Sequence, residues 1–407
     1  MATRFWQGQG LVLLVLAGPV SCALLQHQTA QLLQNPTFEE YHSAFSRDYS
    51  QGSAEWELRR GLFQQRADNI LTHNSREDRL WTAGFNHLTD RTSVEIQDLF
   101  GWIHHSAGGG RAAATALLSE QSETYGEPAQ SADWRHLQSS NIKDQGACGS
   151  CWAVATATML ELNYEIHMNA TRSFSMQELV SCVPNPQECG GSGGCKGATV
   201  ELAMAYAQKN GLRTNEEKPY HARDSRCHRH ADLTSTAGHG SSDSGSSFGL
   251  AGWHTLPSNK ALPLMLSLME GPTAVSVAAS DWMPYASGIF DGCALDAVIN
   301  HAVLAVGYGT DMQHGKKANY WTIQNSWGPG WGENGYIRVL RMDSPESDDA
   351  YCGIDARPEE GVACKPYPEK VTVCGMCGIL YDSVAAQWQK KPGSLVQVSS
   401  HSLRGNA

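Results

Sequence analysis

The 407-residue sequence lacks several features that would place it in common functional classes. It has no surplus of basic residues, because 30 lysines and arginines against 41 acidic residues give a net charge of −11. This balance argues against a general binder of nucleic acid or anionic membranes, since both need a basic face. No apolar run approaches the roughly 20 residues of a membrane span. Charged residues make up only 17% against 41% hydrophobic residues, which excludes wholesale disorder and indicates a soluble globular protein.

Cysteine is absent from one long part of the chain and frequent in the rest. None of the 12 cysteines lies between Cys22 and Cys148. Before this gap, Arg4, a short apolar run (residues 11–17) and small residues near position 23 have the pattern of a secretory signal peptide over residues 1–23. We therefore expect an oxidising compartment in which disulfides form, either a lysosome or vacuole or the extracellular space.

The cysteine-free part and the cysteine-rich part differ in composition, which predicts separate units over residues 24–130 and 131–407. In the first unit, apolar residues recur at helical intervals over residues 55–74. A Gly-, Ala- and Ser-rich stretch over residues 106–130 is typical of an exposed, cleavable linker. The composition thus predicts a helical N-terminal unit joined by a linker to a larger domain.

The second unit has helical patterns first and strand patterns later, which predicts an α+β fold. Ser175 and Glu178 have the spacing of a helix N-cap, and Gly211 is placed to end a helix. A Ser/Gly-rich segment over residues 233–249 indicates a surface loop. The predicted helices are 150–167, one from 175, and 199–210; the predicted strands are 274–278, 302–306, 320–324 and 336–340.

Three short motifs carry the chemical information. The first, QGACGSCWA over residues 145–153, contains Cys148 and Cys151, which alone could also be a redox pair. The second surrounds His301, and the third begins at Asn325 and continues through Trp327 into a Gly-Trp-Gly segment. In this order, the motifs resemble the papain-like cysteine peptidases, specifically the cathepsin L-like branch.

The resemblance implies a cysteine endopeptidase with a two-lobed α+β fold, a helical left lobe and a β-barrel-like right lobe, preceded by a helical propeptide. Cys151 would be the nucleophile, with its thiolate favoured by a helix N-terminus. His301 would be its proton-transfer partner and Asn325 would orient the ring, with Trp327 shielding that bond. Gln145 would form the oxyanion hole together with the Cys151 N–H.

By the same resemblance, a pocket would receive the substrate residue P2, two positions before the cleaved bond. The family places its floor residue five positions after the cysteine of a Cys-Gly-Ile strand, and this tripeptide occurs twice, at residues 352–354 and 377–379. The first copy gives Arg357 and the second gives Asp382, which we favour because Leu380 and Tyr381 look like a buried strand. An acidic floor would accept basic P2 side chains beside apolar ones. The other substrate-binding residues implied are Gly197, Ala198 (where a second Gly is usual), Thr199, Val200, Ala278, Ile299 and Trp327.

The N-terminal unit resembles cathepsin L-like propeptides. Residues at the spacing of their interspersed helical motif are Glu55, Arg59, Phe63, Ile70 and Asn74, with Arg66 where Asn is usual. A second motif matches residues 84–90, with Leu88 where Phe is usual. The resemblance implies that residues 24–130 occupy the cleft as an intramolecular inhibitor, and that acid releases them by protonating the carboxylates that keep them folded.

The resemblance also assigns disulfides: Cys148 with Cys195, Cys182 with Cys227, and Cys293 with a late cysteine, for which we take Cys352. The remaining late cysteines, Cys374 and Cys377 among them, stay unassigned. Cys374 and Cys377 form a CxxC pair that could be a redox or zinc half-site, but a disulfide hub is favoured. The Pro/Glu/Lys-rich stretch over about residues 355–373 is interpreted as an inserted loop.

Further signals are weaker. Asn169 begins an N-glycosylation sequon. His228 and His230 beside Cys227 could suggest a metal site, but no second cluster has matching spacing, so they are interpreted as surface residues. We expect protein and peptide substrates, a monomer, no metal and no cofactor.

Three alternative functions remain open at this stage. One is a catalytically silent relative that acts as a binding protein, although the four site residues argue against it. Another is a thiol–disulfide oxidoreductase, for which the required βαβ context is lacking. The nearest enzymatic rival is an exopeptidase. It would need a cleft-blocking insertion, and none is obvious near the catalytic motifs, although the sequence does not place the segments 233–249 and 358–370.

Overall fold

The computed structural model describes residues 35–101, 127–228 and 245–389. The expected signal peptide, most of the expected linker and the greater part of the 233–249 segment lie outside these residues. The helices are α1 (Phe38–Ala44), α2 (Ala54–Asn74), α3 (Ser93–Gln97), α4 (Cys151–Met168), α5 (Met176–Cys182), α6 (Val200–Asn210), α7 (Ala261–Glu270) and α8 (Pro345–Ala350). The strands are β1 (Trp81–Ala83), β2 (Ala132–Asp133), β3 (Leu250–Thr255), β4 (Thr273–Val277), β5 (Tyr285–Phe290), β6 (His301–Gln313), β7 (Lys316–Gln324), β8 (Tyr336–Arg341), β9 (Cys352–Asp355), β10 (Val371–Cys374) and β11 (Asp382–Trp388).

The N-terminal unit, residues 35–101, is built around α2. Ser53 caps this helix by accepting the backbone N–H of Trp56, which satisfies one of the free donors of the first turn. Trp56 and Phe63 then pack against Phe38 of α1. The helix expected over residues 55–74 is therefore present with almost the same bounds.

The left lobe is organised by α4, most of which is buried. Its predicted bounds agree with the structure, and it ends at Asn169, which adopts a left-handed conformation with φ 52°. Ser175 caps α5 by accepting the Glu178 N–H, and Gly211 ends α6. The early helices inferred from the sequence are thus confirmed.

The right lobe is built on a nine-stranded sheet to which the N-terminal unit contributes β1. The strand order is β1-β5-β8-β7-β6-β4-β11-β3, with β2 added beside β6. All neighbouring strands are antiparallel except β5 and β8. Strand β6 is longer than predicted, because a two-residue turn at His314 and Gly315, both with positive φ, continues its ladder into β7. The combination of early helices and late strands confirms the α+β fold.

The strand expected at Leu380 and Tyr381 is wrong. These residues lie in a turn after the 3₁₀ helix Met376–Gly378, and β11 begins only at Asp382. Three positive φ angles, at Gly375, Cys377 and Gly378, produce this tight turn. The apolar pattern therefore reflects a buried turn, which hydrophobicity alone does not distinguish from a strand.

Five disulfides cross-link the larger domain. They are Cys148–Cys195, Cys182–Cys227, Cys189–Cys364, Cys293–Cys377 and Cys352–Cys374. Cys293 therefore pairs with Cys377 and not with Cys352, because the β9–β10 pairing places Cys352 directly opposite Cys374. Among the described residues, Cys151 is the free cysteine. Five disulfides are typical of a protein from an oxidising compartment.

Two further properties concern the described part of the chain. None of its helices has the length and apolar character needed to cross a bilayer. Within the same residues, no group of three or more His, Cys, Asp or Glu side chains is arranged to hold a metal ion.

Candidate active site

Cys151 is the first residue of α4 and is almost fully buried. Its thiol faces the backbone N–H groups of Gly101, Trp152 and Ala302. Burial raises the pKa of this thiol, and the N–H groups act in the opposite direction because they stabilise the anion. A thiolate here would also gain from the positive end of an 18-residue helix.

His301 begins β6, next to the Ala302 N–H that faces the Cys151 sulfur. Its Nε2 lies 2.8 Å from Oδ1 of Asn325, and Nδ1 is buried without a hydrogen-bond partner. Burial lowers the pKa of His301 to about 4, with the Asn325 bond acting in the opposite direction. The ring is therefore neutral in this state, with Nε2 oriented by Asn325 and Nδ1 left without a partner.

An aromatic cluster covers the His301–Asn325 bond. The Trp327 ring centroid lies 5.1 Å from that of His301, and Trp331 meets Trp327 edge-on at 5.0 Å. All three rings are fully buried. Exclusion of water strengthens a hydrogen bond because the local dielectric is low.

Gln145 is fully buried beside the same site. Its Nε2 donates to the carbonyl oxygens of Leu99, at 2.8 Å, and Cys148, at 2.9 Å. Its Oε1 accepts a hydrogen bond from the Ser326 hydroxyl at 2.5 Å, which fixes the direction of the amide. Ser326 was not singled out in the sequence, although it directly follows Asn325 in the third motif.

The end of the N-terminal unit lies over the site formed by Cys151, His301 and Trp327. Phe100 lies edge-on to His301 and Trp327, at 5.9 and 6.0 Å between ring centroids. The Gly101 backbone passes so close to Gly197 that a Cβ built on Gly197 would lie 1.2 Å from the Gly101 oxygen. Gly197, with φ 91°, must therefore be glycine to admit a chain in this position.

Asp382, the floor residue expected for the P2 pocket, begins β11 where this strand contacts α6. Asp382 Oδ2 accepts a 2.7 Å hydrogen bond from the Ser276 hydroxyl. Burial and the nearby Glu201 carboxyl raise the pKa of Asp382 well above its usual range, against the effect of Ser276. Arg357, the alternative floor residue, instead has an exposed side chain paired with Glu360. The expected pocket walls are buried: Ala198, Thr199 and Val200 at the start of α6, with Ala278 and Ile299 in the right lobe.

Glu201 is the residue near this pocket that the sequence interpretation missed. It directly follows Val200, so the sequence alone shows that it is next to an expected wall residue of the pocket. Its approach to Asp382 was not, because 181 positions separate the two residues and only the packing of α6 on β11 joins them.

Other sequence candidates lie away from this site. Asn169 is exposed at the end of α4, which is compatible with a sequon. His228 contributes its carbonyl oxygen to Arg213, and His230 lies outside the described residues. Cys374 and Cys377 are both in disulfides, so neither is a free thiol.

Comparisons with known proteins identify the family of this chain. Residues 128–361 match the family model described as papain family cysteine protease. Cysteine protease 1 of Oryza sativa subsp. japonica is 33% identical over 77% of this chain, and the match covers 61% of that protein, less than two thirds of its length. A cathepsin L-like proteinase of Fasciola hepatica is 32% identical over 75% of this chain and 87% of that protein.

Solved structures of precursor forms are also similar. A recombinant stem bromelain precursor has a TM-score of 0.64 at 29% identity, covering 87% of this chain and 98% of that chain. Digestive procathepsin L 3 of Tenebrio molitor larval midgut has a TM-score of 0.61 at 25% identity, covering 89% and 99%. The N-terminal unit therefore corresponds to the propeptide part of such proforms, and we call residues 35–101 the prosegment.

Proposed function

The chain belongs to the papain family of cysteine proteases, and from this premise we propose that it is an endopeptidase that hydrolyses peptide bonds through Cys151 and His301. The Cys151 thiolate attacks the scissile carbonyl carbon, and the imidazolium of His301 gives its proton to the leaving amine. Water then attacks the resulting thioester with His301 as general base, which releases the acid and restores the thiol. The arrangement of Cys151, His301 and Asn325 carries this proposal.

Gln145 and the Cys151 N–H stabilise the oxyanion in this mechanism. The Gln145 amide already donates to a carbonyl oxygen, that of Leu99 in the prosegment. A substrate carbonyl in the same place would receive the same donor. Losing one such donor typically reduces turnover by about 10²–10³-fold.

The prosegment is proposed to inhibit by covering the site and keeping the catalytic pair neutral. Burial raises the pKa of Cys151 and lowers that of His301, so both shifts oppose the thiolate–imidazolium pair. Phe100 and Gly101 contribute to this burial. Removing the prosegment admits water and substrate, which favours the charged pair. Activation then takes place in mild acid, in a lysosome, a vacuole or outside the cell.

Labelling by an epoxide inhibitor of cysteine proteases tests this function. After acid treatment, we expect stoichiometric labelling of the wild-type protein and loss of labelling and peptidase activity in Cys151→Ser. The untreated full-length protein is the matched control, because Gly101 covers its thiol, and its labelling should be at least about tenfold slower. Insulin reduction without peptidase activity would instead identify a thiol–disulfide oxidoreductase, and absence of both activities would favour a binding protein.

A further inference from the structure

A segment of the larger domain, residues 356–370, connects β9 to β10, and we call it the strap. The two strands form an antiparallel pair in which Asp355 lies opposite Val371. Two residues would suffice to close such a hairpin. The strap is therefore much longer than its connection requires, and its contacts account for the extra length.

One side of the strap is fixed to the left lobe. The disulfide Cys189–Cys364 joins it to the loop between α5 and α6. On either side of that bond, the Gly190 N–H donates to the Ala363 oxygen at 3.1 Å and the Lys365 N–H donates to the Gln187 oxygen at 2.8 Å. An ion pair of 2.7 Å between Lys365 and Glu188 adds to this attachment.

The preceding residues of the strap are fixed to the right lobe. The Val362 N–H donates to the Ile299 oxygen at 2.9 Å. At Gly361 the contact is so close that an added Cβ would lie 2.3 Å from the same oxygen. Because Val362 and Ala363 are consecutive, two residues span the distance from Ile299 in one lobe to Gly190 in the other, about 7 Å of chain.

This crossing lies directly beside the proposed P2 pocket. Ile299 is one of its expected walls and is only 1% exposed. On the opposite side, a Cβ added to Gly190 would lie 2.9 Å from the oxygen of Ala198, another expected wall. The next residue, Gly191, approaches the Gly101 oxygen of the prosegment. The strap therefore bridges the two lobes next to the place where a bound chain passes between them.

We propose that the strap limits how many substrate residues can lie in the cleft on the N-terminal side of the cleaved bond. The inference rests on the proposed function, which supplies the direction of the substrate and the P2 pocket. The substrate residues P1 and P2 bind between the catalytic site and the strap, and the residue before P2 collides with the strap. Cleavage is thereby biased towards bonds with two residues before them, such as the second peptide bond of a chain with a free N-terminus.

The strap does not swing aside as a simple flap would. It is attached at both chain ends to the β9–β10 hairpin, which is itself closed by Cys352–Cys374. Its middle is attached covalently through Cys364. A longer substrate must leave the cleft over the strap, and it then loses the backbone contacts that an extended peptide makes beyond P2.

Peptides with identical residues around the cleaved bond, and two, four or six residues before it, test this inference on the acid-activated enzyme. Rates are divided by the active-site concentration from epoxide titration, so absence of titratable sites would contradict the proposed function and not the strap. We expect kcat/KM to fall at least tenfold between two and four residues. Equal values for all three lengths would overturn the proposal.

Two variants open the strap. One replaces residues 356–370 by Asn-Gly and carries Cys189→Ser, and the other is Cys189→Ser with Cys364→Ser, which keeps every other strap residue. Both should raise kcat/KM for the longer peptides at least fivefold. The matched control, Cys352→Ser with Cys374→Ser, removes a disulfide within the hairpin and should keep the length preference. An unchanged length profile in a strap variant with wild-type titratable sites would also overturn the proposal.

Discussion

The cleft is covered on two sides, and the two covers are held by different kinds of bonds. The prosegment is attached without any disulfide, since no cysteine lies between Cys22 and Cys148. Its strand β1 extends the right-lobe sheet beside β5, and Asn86 donates to the Met283 oxygen at 2.8 Å. The strap is attached through Cys189–Cys364 and by backbone hydrogen bonds to both lobes.

The difference separates a removable cover from a permanent one. A single hydrogen bond contributes only about 1 kcal/mol to stability. Because a small unit unfolds cooperatively, the hydrogen bonds and packing of the prosegment are lost together. A disulfide persists in an oxidising compartment whatever the pH. The activation proposed above removes the prosegment, whereas the strap remains in the mature enzyme.

The largest expected effect comes from breaking the fold of the removable cover. Asp90 is 1% exposed and pairs with Arg47 at 2.6 Å, and the hydroxyls of Tyr41 and Tyr49 donate to it. Asp90→Ala removes the carboxylate partner of Arg47, whose side chain is only 11% exposed, at a cost of about 3–5 kcal/mol. The population of open prosegment should rise by a factor between about 10² and 4 × 10³. Conversion of the full-length protein at pH 7, followed by electrophoresis, should accelerate accordingly.

The exposed pair of Asp78 with Arg76 provides the matched control within the same unit. Asp78→Ala should change the conversion rate by no more than about twofold, because exposed ion pairs contribute little to stability. A conversion rate for Asp90→Ala within threefold of the wild-type rate would contradict the view that the cover depends on its internal fold.

A second prediction concerns the pocket beside the permanent cover. Because burial and Glu201 raise the pKa of Asp382, its carboxyl is neutral in acid and gains its charge as the pH rises. The kcat/KM ratio for Arg against Leu at P2 should therefore increase with pH. Asp382→Asn should remove this increase and lower the ratio about tenfold at the upper end of the range, as expected for a lost charge-assisted hydrogen bond.

Arg357→Ala is the control for this measurement, since Arg357 is the floor residue that the first Cys-Gly-Ile tripeptide implies. Its side chain is exposed and paired with Glu360, so the P2 ratio should stay as in the wild-type protein. If Arg357→Ala changed the ratio and Asp382→Asn did not, the assignment of the pocket floor would be reversed.

Features that depend on neighbouring residues could be predicted from the sequence, whereas contacts between distant residues could not. Cys151 and Gln145 lie in one short motif, and His301 and Asn325 each lie in another, so the resemblance of these motifs to the papain-like family was enough to propose them. The helices around α4 follow from local apolar patterns and capping residues.

The segment over about residues 355–373 was interpreted as an inserted loop, but the contacts that attach the strap to both lobes could not be predicted in the same way. Cys189 and Cys364 are 175 positions apart, and nothing in their flanking residues specifies the pairing. The choice of Cys352 as the partner of Cys293 failed for a related reason, since the β9–β10 register decides that Cys352 faces Cys374. Such pairings depend on the packed lobes, which local patterns do not encode.

The smallest predicted effect concerns how acid acts on the removable cover. Glu95 is a poor sensor, because bonds with Arg59, Thr92 and Arg91 outweigh burial and hold its pKa well below the usual range, so it stays charged in mild acid. His87 is better suited to respond to mild acid. Burial lowers its pKa to about 4; Asp144 opposes this shift, whereas the charges of Arg47 and Arg91 add to it.

The direction in which His87 changes the stability of the prosegment with pH follows from proton uptake on unfolding. In the folded prosegment His87 remains neutral down to about pH 4, whereas in the unfolded prosegment it is protonated below about pH 6.5. Unfolding therefore takes up a proton between these values, and the stability of the prosegment falls as the pH falls. His87→Gln should remove this contribution, so the ratio of conversion rates at pH 4.5 and pH 6.5 should shrink severalfold. The exposed His136→Gln should leave that ratio unchanged, and an unchanged ratio in His87→Gln would show that acid releases the prosegment through other groups.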